Sequence, residues 1–171
     1  MVAKAQAIAH YNGWHKFIGL QYFYSAVTRD IEHEIVAMAD DHDLAIFPWS
    51  PLAGGFLSGK YTREEIKDNN SRRATFDFPP IKAYDLVDIM KTIADDHQAT
   101  TAQVALAWVR QQSGATSTVI GAKNVEHLIS NVESTKLILS GSDLSKIQQV
   151  SPLPKQYPGW MIENQDNESR N

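Results

Sequence analysis

The sequence predicts an α/β fold built on a parallel sheet, and three observations carry that reading. Three short runs are rich in β-branched and aromatic residues: Phe17 to Phe23, Leu44 to Trp49 and Ser117 to Gly121. Each is nearly continuous in apolar character rather than alternating, the pattern of parallel strands covered on both faces. Helical segments with 3.6-residue periodicity separate them, so the chain reads as right-handed βαβ units.

Taken in order, Met1 to Ala9 is already helical, with no capping residue and no strand before it. The expectation is a chain that begins inside a βα unit. The Asn12-Gly13 break then leads into the first strand. Ile31, Ile35, Met38 and Ala39 share one face of a helix from Asp30 to His42, and the second strand follows. Thr62 to Pro80 has no periodicity, and a loop of that length in a compact domain is usually functional. Tyr84, Val87, Met90 and Ala94 stripe a helix from Ala83 to His97. Thr100 is a capping residue for the next helix, with Val104 and Trp108 turned inward. After the third strand, Asn124 opens a helix striped by Val125, Leu128, Ile129 and Val132. Ser142 opens a last one, striped by Leu144, Ile147 and Val150. Residues 1–164 are expected to form the folded domain, and the polar stretch 165–171 a frayed tail.

Bulk composition narrows the function classes. The 171 residues suffice for one domain with a full core, and the net charge of -4 gives no sign of a nucleic-acid or anionic-membrane partner. With no cysteine, a disulfide scaffold, a thiolate nucleophile and Cys-ligated zinc are excluded. No apolar run reaches the ~18 residues of a membrane helix, nor does the N-terminus carry a signal-peptide pattern. A cytoplasmic protein is the expectation.

The strongest local signal is Pro48-Trp49-Ser50-Pro51-Leu52-Ala53-Gly54-Gly55-Phe56-Leu57-Ser58-Gly59-Lys60-Tyr61, at the C-terminal end of a strand, where parallel α/β sheets build their sites. Its glycines let backbone approach a ligand, Ser50 offers a hydroxyl, Lys60 a cation and Trp49 an aromatic face. It reads as a cradle for phosphate and a ring; an ordinary glycine turn with a structural tryptophan is the competing reading. Elsewhere, Asp40-Asp41-His42 and Asp95-Asp96-His97 repeat a pattern tempting as metal ligands, but each ends a helix and reads as solvated, so no metal site is expected. His10, His15 and His33 read as surface residues, Glu32 and Glu34 as complements to a helix dipole, and Trp14 and Trp108 as packing residues.

The chain resembles the C-terminal half of aldo-keto reductases, most closely the bacterial NADP-dependent and potassium-channel β-subunit-like branches. The resemblance rests on Leu20-Gln21-Tyr22-Phe23-Tyr24-Ser25 with Arg29, on Trp49 to Tyr61, and on Gln103 to Trp108. It continues through Val119-Ile120-Gly121-Ala122-Lys123-Asn124 with Asn131 to Tyr157-Pro158-Gly159-Trp160. It implies a partial (β/α)8 TIM barrel, the C-terminal portion with about three parallel strands (barrel strands six to eight) and their helices, and it implies NADP(H) as cofactor. Gln21 would hydrogen-bond the nicotinamide carboxamide and Trp49 stack on its ring. Ser50, Pro51, Leu52, Ala53 and Gly54 would line the pyrophosphate, with Lys60 reaching it and Arg72 or Arg73 assisting. Gly121 belongs to the turn before Lys123, which would hold the 2′-phosphate together with the helix N-terminus, while Asn131 would contact the adenine. At the adenine end this chain carries His127 where many relatives have Gln, and Ser130 where they have Glu.

The resemblance also implies an absence. The family's catalytic Asp, Tyr, Lys and His belong to the first barrel strands, and Tyr22, Tyr24 and Tyr61 do not match that tyrosine. The expectation is the NADP(H)-binding part of a reductase of aldehydes and ketones, inactive alone, with carbonyl substrate bound only after completion by an N-terminal half. The alternative is a non-catalytic nucleotide-binding or interaction module that associates with itself through open sheet edges or complements a separate half.

Overall fold

The computed structural model describes residues 1–61, 80–153, 156–159 and 161. The expected Thr62–Pro80 loop, apart from Pro80, lies outside these residues, as do Arg72, Arg73, Trp160 and the expected tail. Among the described residues eight regular elements follow one another: α1 (Val2–Tyr11), β1 (Gly19–Phe23), α2 (Ile35–Asp41), β2 (Ala45–Trp49), α3 (Pro80–Asp96), α4 (Thr101–Arg110), α5 (Val125–Glu133) and α6 (Gly141–Val150).

β1 and β2 run parallel, from Gly19 opposite Ala45 to Phe23 opposite Trp49. Gly19 is required by close approach, since a Cβ there would lie 2.6 Å from the Phe47 ring. Gln6 of α1 fixes the entry to β1: its amide nitrogen donates to the Phe17 carbonyl at 3.0 Å, and its oxygen accepts from the Phe17 N–H at 2.9 Å.

The third run forms no full strand. It touches β2 only at isolated parallel bridges, Ile46 with Ala115 and Trp49 with Val119. The cause lies in β2. The Ile46 and Pro48 carbonyls both point to this run, accepting from Thr116 N–H at 2.9 Å and Val119 N–H at 2.8 Å. Pro48 has no N–H to return, so one rung of the ladder cannot form. The Ile46 N–H goes instead to the Thr116 hydroxyl, 3.1 Å away. Among the described residues the sheet is therefore two-stranded with a bridged flank, where about three strands were expected.

The core lies where α3, α4 and α6 meet beneath the turn that follows β2. Leu57, Met90, Ile93, Val104, Val109 and Ile147 are fully buried there, and the Phe56 and Tyr84 rings meet edge to face at 5.0 Å. Thr100 caps α4 as expected, and Gln103 completes a reciprocal capping box. α6 is capped by Ser140 and Asp143, two residues earlier than the expected Ser142. Asp143 also meets His97 at 2.9 Å, tying α6 to the end of α3, so His97, exposed as expected, is also a structural partner. Burial pushes the Asp143 carboxyl up, but hydrogen bonds from Ser140 and His97 outweigh this and hold it below its ordinary value.

The expected Asp30–His42 helix is broken into a 3-10 turn (Asp30–Glu32) and α2. Glu32 is drawn back to Arg29 three residues earlier, at 2.7 and 2.8 Å, which suits a three-residue turn. Buried Arg29 also donates to Gln148 and to the Ser151 carbonyl, and its guanidinium lies 5.4 Å from the centre of the Trp108 ring. The Tyr24 hydroxyl donates to Glu32 at 2.7 Å. Glu32 is thus part of a buried polar hub, not a solvated dipole partner. His33, expected on the surface, is half-buried, and its Nε2 is buried without a partner among the described residues.

Two apolar expectations fail. Trp14 is 65% exposed rather than packed, and the α5 stripe of Val125, Leu128, Ile129 and Val132 is 47–65% exposed. α5 meets α4 through its polar side instead. Gln103 donates to the Ser130 carbonyl at 3.0 Å, and Asn131 is the buried residue of the helix.

Candidate functional site

The C-terminal ends of β1 and β2 open onto a cleft of about 1150 Å³. β1 contributes Gln21, the one exposed side chain of that strand. β2 ends in Trp49, 40% exposed, with its ring 5.0 Å from Phe23. Alternation along a strand explains the pair: Ile46 and Pro48 point into the molecule, leaving Trp49 at the rim.

The turn after β2 forms the floor. Ser50, Ala53, Gly54 and Gly55 all have positive φ, at 54°, 49°, 67° and 94°. For Ser50 and Ala53 this is a strained conformation, of the kind that concentrates where a chain must hold a ligand. The turn is held by its own bonds. The Ser50 hydroxyl accepts from the Gly54 N–H at 3.1 Å, and its carbonyl accepts from Ala53 N–H at 2.8 Å. Much of the capacity expected of Ser50 toward a ligand is therefore spent on shaping the loop. The Ala53 side chain is fully buried in the core, away from the cleft wall.

The opposite wall is the third run and the start of α5. Gly121 and Lys123 lead into the helix, and Asn124 caps it by accepting from the His127 N–H at 2.8 Å. His127 and Asn131, one turn apart, face the cleft together. The Asn131 amide donates to the Gly121 carbonyl at 3.4 Å, fastening the turn to the helix. Two ammonium groups thus reach the cavity from different elements, Lys60 and Lys123. The Lys60 ammonium lies over the face of the Tyr61 ring, 4.8 Å from its centre.

Of the residues singled out in the sequence, Gln21, Trp49, Ser50, Pro51, Leu52, Gly54, Lys60, Gly121, Lys123, His127 and Asn131 line this one cavity. Ala53 does not, and Arg72 lies outside the described residues. Tyr61, Leu106, Val119 and Ile120 also line it and were given no role toward a ligand in the sequence. Tyr61 closes the motif already quoted; Leu106 reads in sequence as one more apolar residue of a helix, and nothing local marks it. The described residues offer no cluster of three His, Asp or Glu side chains able to hold a metal, and no helix long and apolar enough to cross a membrane.

The family model described as "Aldo/keto reductase family" matches residues 2–152. Among curated relatives, "Probable aldo-keto reductase 1" of Glycine max is 33% identical over 154 residues, 88% of this chain and 44% of that protein. An aryl-alcohol dehydrogenase of Pestalotiopsis microspora is 31% identical over 152 residues, 87% of this chain and 38% of its own. Norsolorinic acid reductase B of Dothistroma septosporum is 25% identical over 159 residues, 92% and 40%. The chain spans less than half the length of these relatives. The match runs through both walls of the cleft, from Gln21 to Asn131, and the chain belongs to the aldo/keto reductase family.

Proposed function

We propose that the cleft holds NADP(H), and that this chain is the cofactor-binding part of an enzyme that reduces aldehydes and ketones to alcohols. One observation carries the reading: a single cavity joins the exposed ring of Trp49 to the ammonium of Lys123. A dinucleotide needs both, an aromatic face for its flat ring and cations for its phosphates. The volume exceeds the ~300–1,000 Å³ of ordinary small-molecule sites, as an extended ligand requires.

In this reading Trp49 stacks on the nicotinamide and Gln21 hydrogen-bonds its carboxamide, fixing which face of the ring is presented. The left-handed turn at Gly54 and Gly55 brings backbone close to the pyrophosphate without a Cβ in the way. Lys60 answers its charge, and Lys123 with the α5 N-terminus answers the 2′-phosphate, which selects NADP(H) over NAD(H). Bound there, the cofactor supplies hydride. The proton for the carbonyl oxygen is assigned to no residue of this cleft. Tyr24 is buried with its phenol pushed up by burial and by Glu32. We therefore expect turnover only with a further half of the barrel, consistent with the branch of NADP-dependent bacterial and channel-associated members the sequence resembles.

NADPH titration followed by tryptophan quenching tests this. Saturable quenching stronger for NADPH than NADH is expected, lost in Trp49→Phe as a signal and weakened about three- to ten-fold in Lys123→Ala. Equal affinity for NADH, or indifference to Lys123→Ala, would refute the assignment. A second reading, an interaction module, draws support from the exposed α5 stripe and from exposed Phe17 and Ile18 at the start of β1. A chain that associates concentration-dependently in sedimentation without binding NADPH would favour it.

A further inference from the structure

Two apolar faces of the chain stand open, and they differ in charge. The first runs from α1 into β1. Lys4, Ile8 and Tyr11 share one side of α1, spaced four and three residues apart, and Trp14, Phe17 and Ile18 follow on the way to the strand. All are exposed, Tyr11 and Ile18 at 85% and 86%. Lys16 is exposed among them too, and no Asp or Glu occurs before Asp30. This face is apolar and basic, in a chain whose net charge is -4.

The second face is the α5 stripe of Val125, Leu128, Ile129 and Val132, and its charges are acidic. Glu126 and Glu133 stand three residues before and four after Ile129, so they edge the stripe. Glu133 has a long contact, 3.9 Å, with exposed Lys136. Lys123, just before the helix, lines the cleft, as do His127 and Asn131, whereas no residue of the stripe does. A partner on the stripe therefore leaves the cleft open. The two faces belong to opposite flanks of the sheet. Gln6 ties α1 to the entry of β1, α5 follows the third run, and β2 lies between them.

We propose that a second copy of this chain covers both faces, with α1 and the lead into β1 of each copy lying against α5 of the other. The pairing goes beyond the cofactor reading and does not depend on it. Charge selects the arrangement. α1 against α1 sets lysine beside lysine, and α5 against α5 sets glutamate beside glutamate, whereas α1 against α5 brings opposite charges together. Size decides how many contacts are needed. The three aromatic rings of the first face leave on the order of 400 Å² to be covered. One contact, covering a face on each copy, removes roughly 600–800 Å², the scale of chance packing, and two remove roughly 1,200–1,600 Å², the lower part of the range of specific interfaces. A twofold axis makes both contacts at once and closes the pair, whereas a single contact would continue into an open chain. A pair of this modest size dissociates on dilution, so the dilute chain is a monomer with α5 open.

Sedimentation equilibrium of the full chain across a range of concentrations tests this. The expected result is a monomer–dimer equilibrium that stops at the dimer and weakens in high salt. Lys4→Glu with Lys16→Glu, and separately Glu126→Lys with Glu133→Lys, should each weaken pairing about ten-fold, since every contact occurs twice in the dimer. Mixing the two variants should restore it to within about two-fold, because the reversed α1 of one then meets the reversed α5 of the other while the second contact keeps its native signs. All four residues are exposed, so folding should be retained, and circular dichroism checks it. Dimers indifferent to both reversals, or variants that fail to restore one another on mixing, overturn the pairing of α1 with α5. A chain that stays monomeric at every concentration overturns the second copy as occupant and leaves the faces to another polypeptide. NADPH titration of the same samples reads the cofactor assignment separately, and pairing should form with and without it.

Discussion

α4 and α5 are consecutive helices of ten and nine residues, each opened by a side-chain cap, each with apolar residues at helical spacing. In α4 everything from Val104 to Val109 is buried, while in α5 the stripe Val125, Leu128, Ile129 and Val132 is about half exposed and only Asn131 is buried. The difference comes from the neighbours. α4 lies between α3, the turn after β2 and the region before α6, whereas α5 leans on α4 with its polar side. An apolar stripe states which face would gain from burial; it does not supply the surface that buries it.

The largest effect should come from truncating equivalent apolar residues on the two sides. Met90→Ala, in the α3 core, is expected to cost about 2–5 kcal/mol in urea unfolding, whereas Leu128→Ala on α5 should stay within about 0.5 kcal/mol. A comparable loss at Leu128 would mean that α5 is covered in solution and the contrast is false.

Next comes the polar hub beneath α4. Glu32→Gln leaves the Arg29 guanidinium buried with its charge unanswered, and a loss of about 3 kcal/mol is expected. A near-neutral result would show that Gln148, the Ser151 carbonyl and the Trp108 ring suffice to hold Arg29.

The smallest effect is at the α3–α6 junction. Asp143 has its carboxyl held below the ordinary 3.8, so the folded state binds its proton less readily than the unfolded chain. Its contribution is therefore fully present above about pH 4 and is lost as pH falls through the lower folded value. Asp143→Asn should cost about 1 kcal/mol at neutral pH, the size of a helix cap, and the gap should close under strong acid. A gap unchanged across that range would show that the carboxylate charge is not what matters.

Much of this was legible in the chain. The parallel order, the helices around Met90 and Val104, the Thr100 and Asn124 caps and the glycine-rich turn after Trp49 all follow from local signals: apolar period, capping chemistry, φ tolerance. Most of the cleft residues were legible too, because they cluster in two short motifs. Other features were not. The loss of a third strand depends on which side of β2 the missing Pro48 N–H faces, and the broken helix at Glu32 depends on Arg29 and Tyr24 reaching it from outside. The His97–Asp143 contact joins residues 46 apart along the chain.

The sequence by itself determined the period of each element, the place of each cap and the chemistry gathered after β2, since those depend on residues within a turn or two of one another. Tertiary structure alone decided that Trp49 and Lys123 share one cavity, that Ala53 turns into the core, and that α4 is buried while α5 stands open. Those outcomes depend on which surfaces meet across long stretches of chain, and no local preference records that.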